Sequence, residues 1–202
     1  MLFETGCGGG HEKSCQKYIR NQVLYSEDVD QEKLLAGARV LEKSCNQGNV
    51  EGCAYLIFTS EELDDFEFSI EDEDFFSLIE KSCNQNTPIA CFLLGAQLYE
   101  EAESGSADFY RALRITDKAC NGGELLGCTA AAQIILEDDE IADKTRAVRL
   151  LNRACNGSEF VACYLLSDLY LEGTGVQKDI NHAKTLLQKS CDGGYMDACY
   201  EL

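Results

Sequence analysis

Leu and Ala recur at helical spacing along this chain, and nothing alternates apolar and polar over the length of a strand. The pattern predicts an all-α protein. It is clearest near the carboxyl end, where Cys163-Tyr164-Leu165-Leu166-Ser167-Asp168-Leu169-Tyr170 reads as a first helix. Glu172 to Asp179 then reads as a loop, and Ile180 to Cys191 as a second helix with Ala183, Leu186 and Leu187 on its buried stripe. Apolar residues make up 45% of the 202, enough to bury a sizeable core.

Cysteines rule this pattern off at even intervals. Twelve of them form six pairs: Cys7 and Cys15, Cys45 and Cys53, Cys83 and Cys91, Cys120 and Cys128, Cys155 and Cys163, Cys191 and Cys199. Seven residues separate the members of every pair, and the first members recur at intervals of 38, 38, 37, 35 and 36 residues. A fixed period of this length marks a helical solenoid. The chain therefore reads as one domain, 1–202, with repeats at about 7–44, 45–82, 83–119, 120–154 and 155–190 and a partial cap at 191–202. Five stacked helix pairs would make a curved right-handed superhelix.

The text around the ruler repeats as well. Lys43-Ser44-Cys45-Asn46-Gln47-Gly48 returns as Lys118-Ala119-Cys120-Asn121-Gly122-Gly123, as Arg153-Ala154-Cys155-Asn156-Gly157 and as Lys189-Ser190-Cys191-Asp192-Gly193-Gly194. A base two residues before the cysteine suits the last turn of a helix, where the macrodipole favours positive charge. Asn and Gly just beyond tolerate the left-handed conformation that ends a helix. Eight residues of unbroken helix would hold two Cα atoms about 12 Å apart, whereas a disulfide needs roughly 4.4 to 6.8 Å. The chain must turn between the cysteines, and a bridge across that turn staples one helix to the next at about 2–3 kcal/mol each. The alternatives are reduced thiol pairs or metal sites. Zinc wants tighter cysteine groupings together with His, and neither His11 nor His182 sits in one. Persistent disulfides imply an oxidising compartment, so the protein is expected to be periplasmic or secreted. No apolar signal-peptide core follows Met1, so the sequence reads as a mature or trimmed chain carrying a start Met.

Charge narrows the partners. The net charge of -19 opposes nucleic-acid phosphates and anionic membrane surfaces and favours a protein with a basic surface. No stretch approaches the ~20 apolar residues of a membrane span. The densest acid lies at Glu61 to Asp74, where Asp64, Asp65, Glu67, Glu71 and Asp72 are interleaved with Phe66 and Phe68. This is either a solvated loop whose aromatics cap the core or a contact loop with an aromatic anchor inside a charged rim. Tyr99, Glu100, Glu137, Asp138 and Asp139 are further candidate contacts.

Gly173-Thr174-Gly175-Val176-Gln177-Lys178-Asp179 followed by Ala183, and Cys91-Phe92-Leu93-Leu94-Gly95-Ala96-Gln97-Leu98-Tyr99, resemble the loop and first helix of Sel1-like repeats. With cysteines at this spacing the chain is similar to the disulfide-rich branch typified by the Helicobacter cysteine-rich proteins. The loops at Ser26-Glu27-Asp28, Glu100 to Ala107 and Glu137 to Asp143 lack the Gly-x-Gly-Val core. The resemblance implies a protein-binding face lined by first helices, with Tyr18, Tyr55, Tyr99, Tyr164 and Tyr170 as candidates. It also implies a role such as an immunity or inhibitor protein that neutralises a secreted antibacterial effector toxin. The alternatives it carries are β-lactam binding with weak hydrolysis, or a secreted factor that contacts a host. Ser-x-x-Lys, Ser-Asp-Asn and Lys-Thr-Gly are all absent, as are other catalytic signatures. No enzyme activity, cofactor or metal is expected.

Overall fold

A computed structural model gives the architecture; it describes residues 7, 10–25, 30–60, 63, 72–138, 141 and 143–202. Among these the chain is helical, with no strand. The helices are α1 (Glu12–Tyr25), α2 (Gln31–Asn46), α3 (Val50–Ser60), α4 (Asp72–Asn84), α5 (Pro88–Glu101), α6 (Ala107–Asn121), α7 (Leu125–Glu137), α8 (Lys144–Asn156), α9 (Phe160–Glu172), α10 (Ile180–Asp192) and α11 (Met196–Tyr200). Even-numbered helices each carry the first cysteine of a pair near their end. Odd-numbered ones follow the turn and carry the second. The chain is an α/α solenoid of helix pairs stapled by disulfides.

The second helices are amphipathic and capped. In α8 Ala147, Val148, Leu151, Ala154 and Cys155 form one buried stripe. Asp30, Ser106, Asp143 and Asp179 cap α2, α6, α8 and α10, each accepting the backbone N–H three residues on at 3.0 to 3.1 Å. Such a cap contributes about 1 kcal/mol. The first helices are more apolar around their circumference; α7 buries Leu126, Cys128, Ala131, Ala132, Ile134 and Ile135.

The turn between paired cysteines is the same in all five described cases. The third residue after the first cysteine donates back to that cysteine's carbonyl, and the fourth to the carbonyl just before it, as in Ser158 to Cys155 and Glu159 to Ala154, both 3.0 Å. This pair of bonds is the Schellman closure of a helix. It puts the third residue in the left-handed region: Gly48, Asn86, Gly123, Gly194 and, against the expectation of Asn or Gly, Ser158 at φ 70°. Gly157 and Gly193 are right-handed, at φ -82° and -81°. Close approach explains them instead. A Cβ at Gly157 would stand 2.5 Å from Leu125, and one at Gly193 would stand 2.3 Å from the Phe160 ring.

The turn brings the Cα atoms of Cys7–Cys15, Cys45–Cys53, Cys120–Cys128, Cys155–Cys163 and Cys191–Cys199 to between 4.4 and 4.8 Å, and the sulfurs are bonded. Cys83 and Cys91 are disulfide-bonded too, and no free cysteine remains among the described residues.

The chain forms two compact units, Met1–Ala90 and Cys91–Leu202. The first is built on Ile19, Leu34, Ala38, Leu41 and Leu56. Within it the Glu12 carboxylate accepts from Ser44 at 2.7 Å and from Asn49 at 2.9 Å, and Asn49 in turn caps α3. The second unit has a continuous core that includes Phe109, Ile134, Ile135, Leu151 and Leu166. Its last loop shows what each part of Gly173 to Asp179 does. Gly173, at φ 84°, ends α9 by donating to Leu169. Gly175 is left-handed at φ 67° and lies against the backbone of Lys144 and Thr145, Val176 packs on the core, and Asp179 caps α10.

Candidate partner-binding surface

Charge in the second unit is sorted by helix. The first helices carry Glu100 and Glu101 (α5), Glu137 (α7), Asp168 and Glu172 (α9) and Asp197 (α11), and no Lys or Arg. The bases sit on the second helices. α8 holds Lys144, Arg146, Arg149 and Arg153 with no acid, while α6 and α10 mix bases with Asp108, Asp117 and Asp192. Lys118, Arg153 and Lys189 occupy the last turns, where the helix dipole favours them.

Two tyrosine–carboxylate pairs in this unit reach from one first helix to the next, or to the residue that ends it. The Tyr99 hydroxyl donates to the Glu137 carboxylate, and its ring lies 5.9 Å from Phe109. Tyr164 donates to Glu201 at 2.8 Å, and its ring lies 5.2 Å from Tyr195. Tyr164, Asp168 and Glu172 are four apart and share one side of α9.

The electrostatics of this cluster follow from its crowding of acid. Accepting by Glu201 holds the Tyr164 phenol well above the usual tyrosine range. Burial, aided by Asp197, pushes Tyr195 up to about 12. Burial first, then Glu201 and Glu172, raises Asp168 above the ordinary carboxylate range. Neutral phenols and electron-rich rings beside carboxylates suit a cationic side chain, which gains from both.

Of the residues that the sequence singles out, Glu100 is exposed, and Tyr99 and Glu137 are joined to each other. Asp138 is only 5% exposed. Its carboxylate accepts from the Tyr110 hydroxyl at 2.8 Å and its carbonyl from Lys144 at 2.7 Å, so it serves the core rather than the surface. Asp72 opens α4. Asp64, Asp65, Phe66, Glu67, Phe68, Glu71 and Asp139 lie outside the described residues. Tyr55 is buried, and Tyr170 packs edge-on against His182 at 4.4 Å. Sequence reading passed over Asp168, Tyr195 and Glu201; the four-residue spacing of Tyr164 and Asp168 was the available signal. Among the described residues no group of His, Cys, Asp or Glu is placed to hold a metal, and no helix is long and apolar enough to cross a membrane.

The Sel1 repeat model matches residues 88–124, 136–158 and 161–195. A curated relative, cytochrome c oxidase assembly factor 7 of Xenopus tropicalis, is 27% identical over 138 residues, covering 65% of this chain and 58% of that protein. The chain thus spans little more than half the length of that relative. Among solved structures, a Sel1 repeat protein from Oxalobacter formigenes aligns with a TM-score of 0.64 at 17% identity, over 94% of this chain and 74% of that one. The immunity protein Pa5087 from Pseudomonas aeruginosa aligns at 0.60 and 14%, over 93% and 67%. Helicobacter pylori cysteine rich protein B aligns at 0.50 and 21%, over 64% and 93%. These structures share the fold, and the sequence carries Sel1 repeats over the matched residues.

Proposed function

We propose that this chain is a non-enzymatic protein-binding module of an oxidising compartment, and that within this class it is an immunity or inhibitor protein that neutralises a secreted effector. The observation that carries the reading is the absence of Lys and Arg from α5, α7, α9 and α11. First helices whose only charged side chains are carboxylates, as in the second unit, are complementary to a basic partner, and such fields speed encounter and fix register. Glu100, Glu137 with Tyr99, and the Tyr164–Asp168–Tyr195–Glu201 cluster supply the contacts. The fold shared with the Pseudomonas immunity protein supports the finer reading.

The test is co-expression with the product of the neighbouring gene, which this reading expects to be a toxic effector. Restored growth and a complex on gel filtration, lost on Asp168→Lys with Glu100→Lys, are expected. Unrelieved toxicity with no complex overturns the immunity reading, and nitrocefin turnover by the purified chain would favour β-lactam chemistry instead. A second reading rests on the relative named as a cytochrome c oxidase assembly factor. On it the same face holds a partner during assembly, and pull-down of oxidase components separates the two.

A further inference from the structure

We propose that the cleft between α6 and α8, on the second helices rather than the first, docks a carboxylate-rich segment of a partner protein. The cleft is about 380 Å³ in volume and is lined by Asp117, Asn121, Arg146, Arg149, Leu150 and Arg153. It is the inverse of the acidic face. The helix that forms one wall, α8, has four bases and no acid, in a chain of net charge -19.

Its three guanidiniums are in different states. Arg146 pairs with the Asp117 carboxylate across the cleft, which fixes α8 against α6 and shows that this spacing suits an arginine–carboxylate contact. Arg149 meets Asp143 at 3.5 Å, with both side chains more than half exposed, so this partner is readily exchanged. Arg153 is exposed and has no ion-pair partner among the described residues. Arg149 and Arg153 are four apart on α8 and so share a face about 6 Å apart. Side chains two apart on an extended peptide face the same way at a similar spacing, about 6.7 Å. A Glu-x-Glu segment therefore reaches both forks at once, and each fork accepts a carboxylate in two parallel hydrogen bonds. Leu150, between the arginines, offers an apolar floor.

The net charge of the chain selects the class of ligand. At physiological ionic strength charges are felt over about 8 Å. A short acidic segment meets the arginines and only the Asp117 and Asp143 carboxylates that two of them already neutralise, whereas a long phosphate polymer also meets the acid elsewhere.

The test uses the full chain and fluorescein-labelled hexaglutamate, read by anisotropy at low ionic strength. Saturable one-to-one binding is expected. Arg149→Ala with Arg153→Ala should weaken it by about tenfold or more, and the paired Lys variant by less, because charge remains while the forks are lost. Arg39→Ala, on the first unit, should leave it unchanged. All three should keep the parent's melting temperature, since the altered side chains are exposed. Absence of saturable binding overturns the proposal, as does equal weakening by Arg39→Ala. Tighter binding of a six-nucleotide single strand would overturn the carboxylate assignment. Self-association abolished by the double Ala variant would put a second copy of the chain in the cleft and overturn the assigned partner. None of these outcomes depends on the effector-binding reading, which concerns the first helices.

Discussion

The Thr129 hydroxyl on α7 donates to the Glu159 carboxylate at the amino end of α9, 2.5 Å away. Glu159 is 1% exposed, and it also accepts the backbone N–H groups of Val161 and Ala162 at 3.1 and 2.9 Å. One buried side chain thus starts a helix and ties it to the first helix of the preceding repeat. Glu124, in the matching place before α7, caps that helix through Leu126.

Glu159→Ala is expected to destabilise the fold by about 1–3 kcal/mol, because it removes a cap and leaves the buried Thr129 hydroxyl only the Leu125 carbonyl at 3.3 Å. Thr129→Val should cost less, about 1–2 kcal/mol, since the carboxylate keeps its two amides. Urea unfolding measures both. A shift of under about 0.5 kcal/mol for Glu159→Ala would remove it as an anchor.

The two glycines of the last loop should differ in tolerance. Gly175→Ala meets a left-handed φ of 67° and a Cβ 2.6 Å from the Lys144 carbonyl. Gly173→Ala meets a similar φ of 84° but only ordinary contact, 3.4 Å from Lys178. Strain of about 1 kcal/mol is common to both, so Gly175→Ala should melt distinctly lower. Equal melting temperatures would mean that the loop does not lie on α8 as described.

Thiol counting on the denatured, unreduced chain should find no free cysteine. Replacing Cys155 and Cys163 together by Ser should lower stability by about 2–3 kcal/mol while leaving the helix content intact. Close to twelve titratable thiols would undo both the stapled architecture and the oxidising compartment.

Asp168 gives the second unit a pH dependence. Its folded carboxyl is raised by burial and by Glu201 and Glu172, so the folded chain holds this proton more tightly than the unfolded one. Stability from this site therefore falls as pH rises from the ordinary carboxyl range through the raised folded value. Asp168→Asn should melt above the parent at neutral pH, and the two should converge below about pH 4. A lower melting temperature for the Asn variant at neutral pH would contradict the assigned strain.

The cysteine ruler alone set the period of the helix pairs and the turn between the members of each pair, because a disulfide's reach is short and an unbroken helix exceeds it. Periodicity placed the α9 and α10 helices within a few residues, since Ala183, Leu186 and Leu187 can be buried together only on a helix. Tertiary structure decided the rest. That Gly157 is needed for the approach of Leu125 and that Asp138 turns inward to Tyr110 depend on groups about thirty residues away in sequence. The absence of bases from the first helices of the second unit is written in the sequence itself and becomes visible once the helix bounds are known.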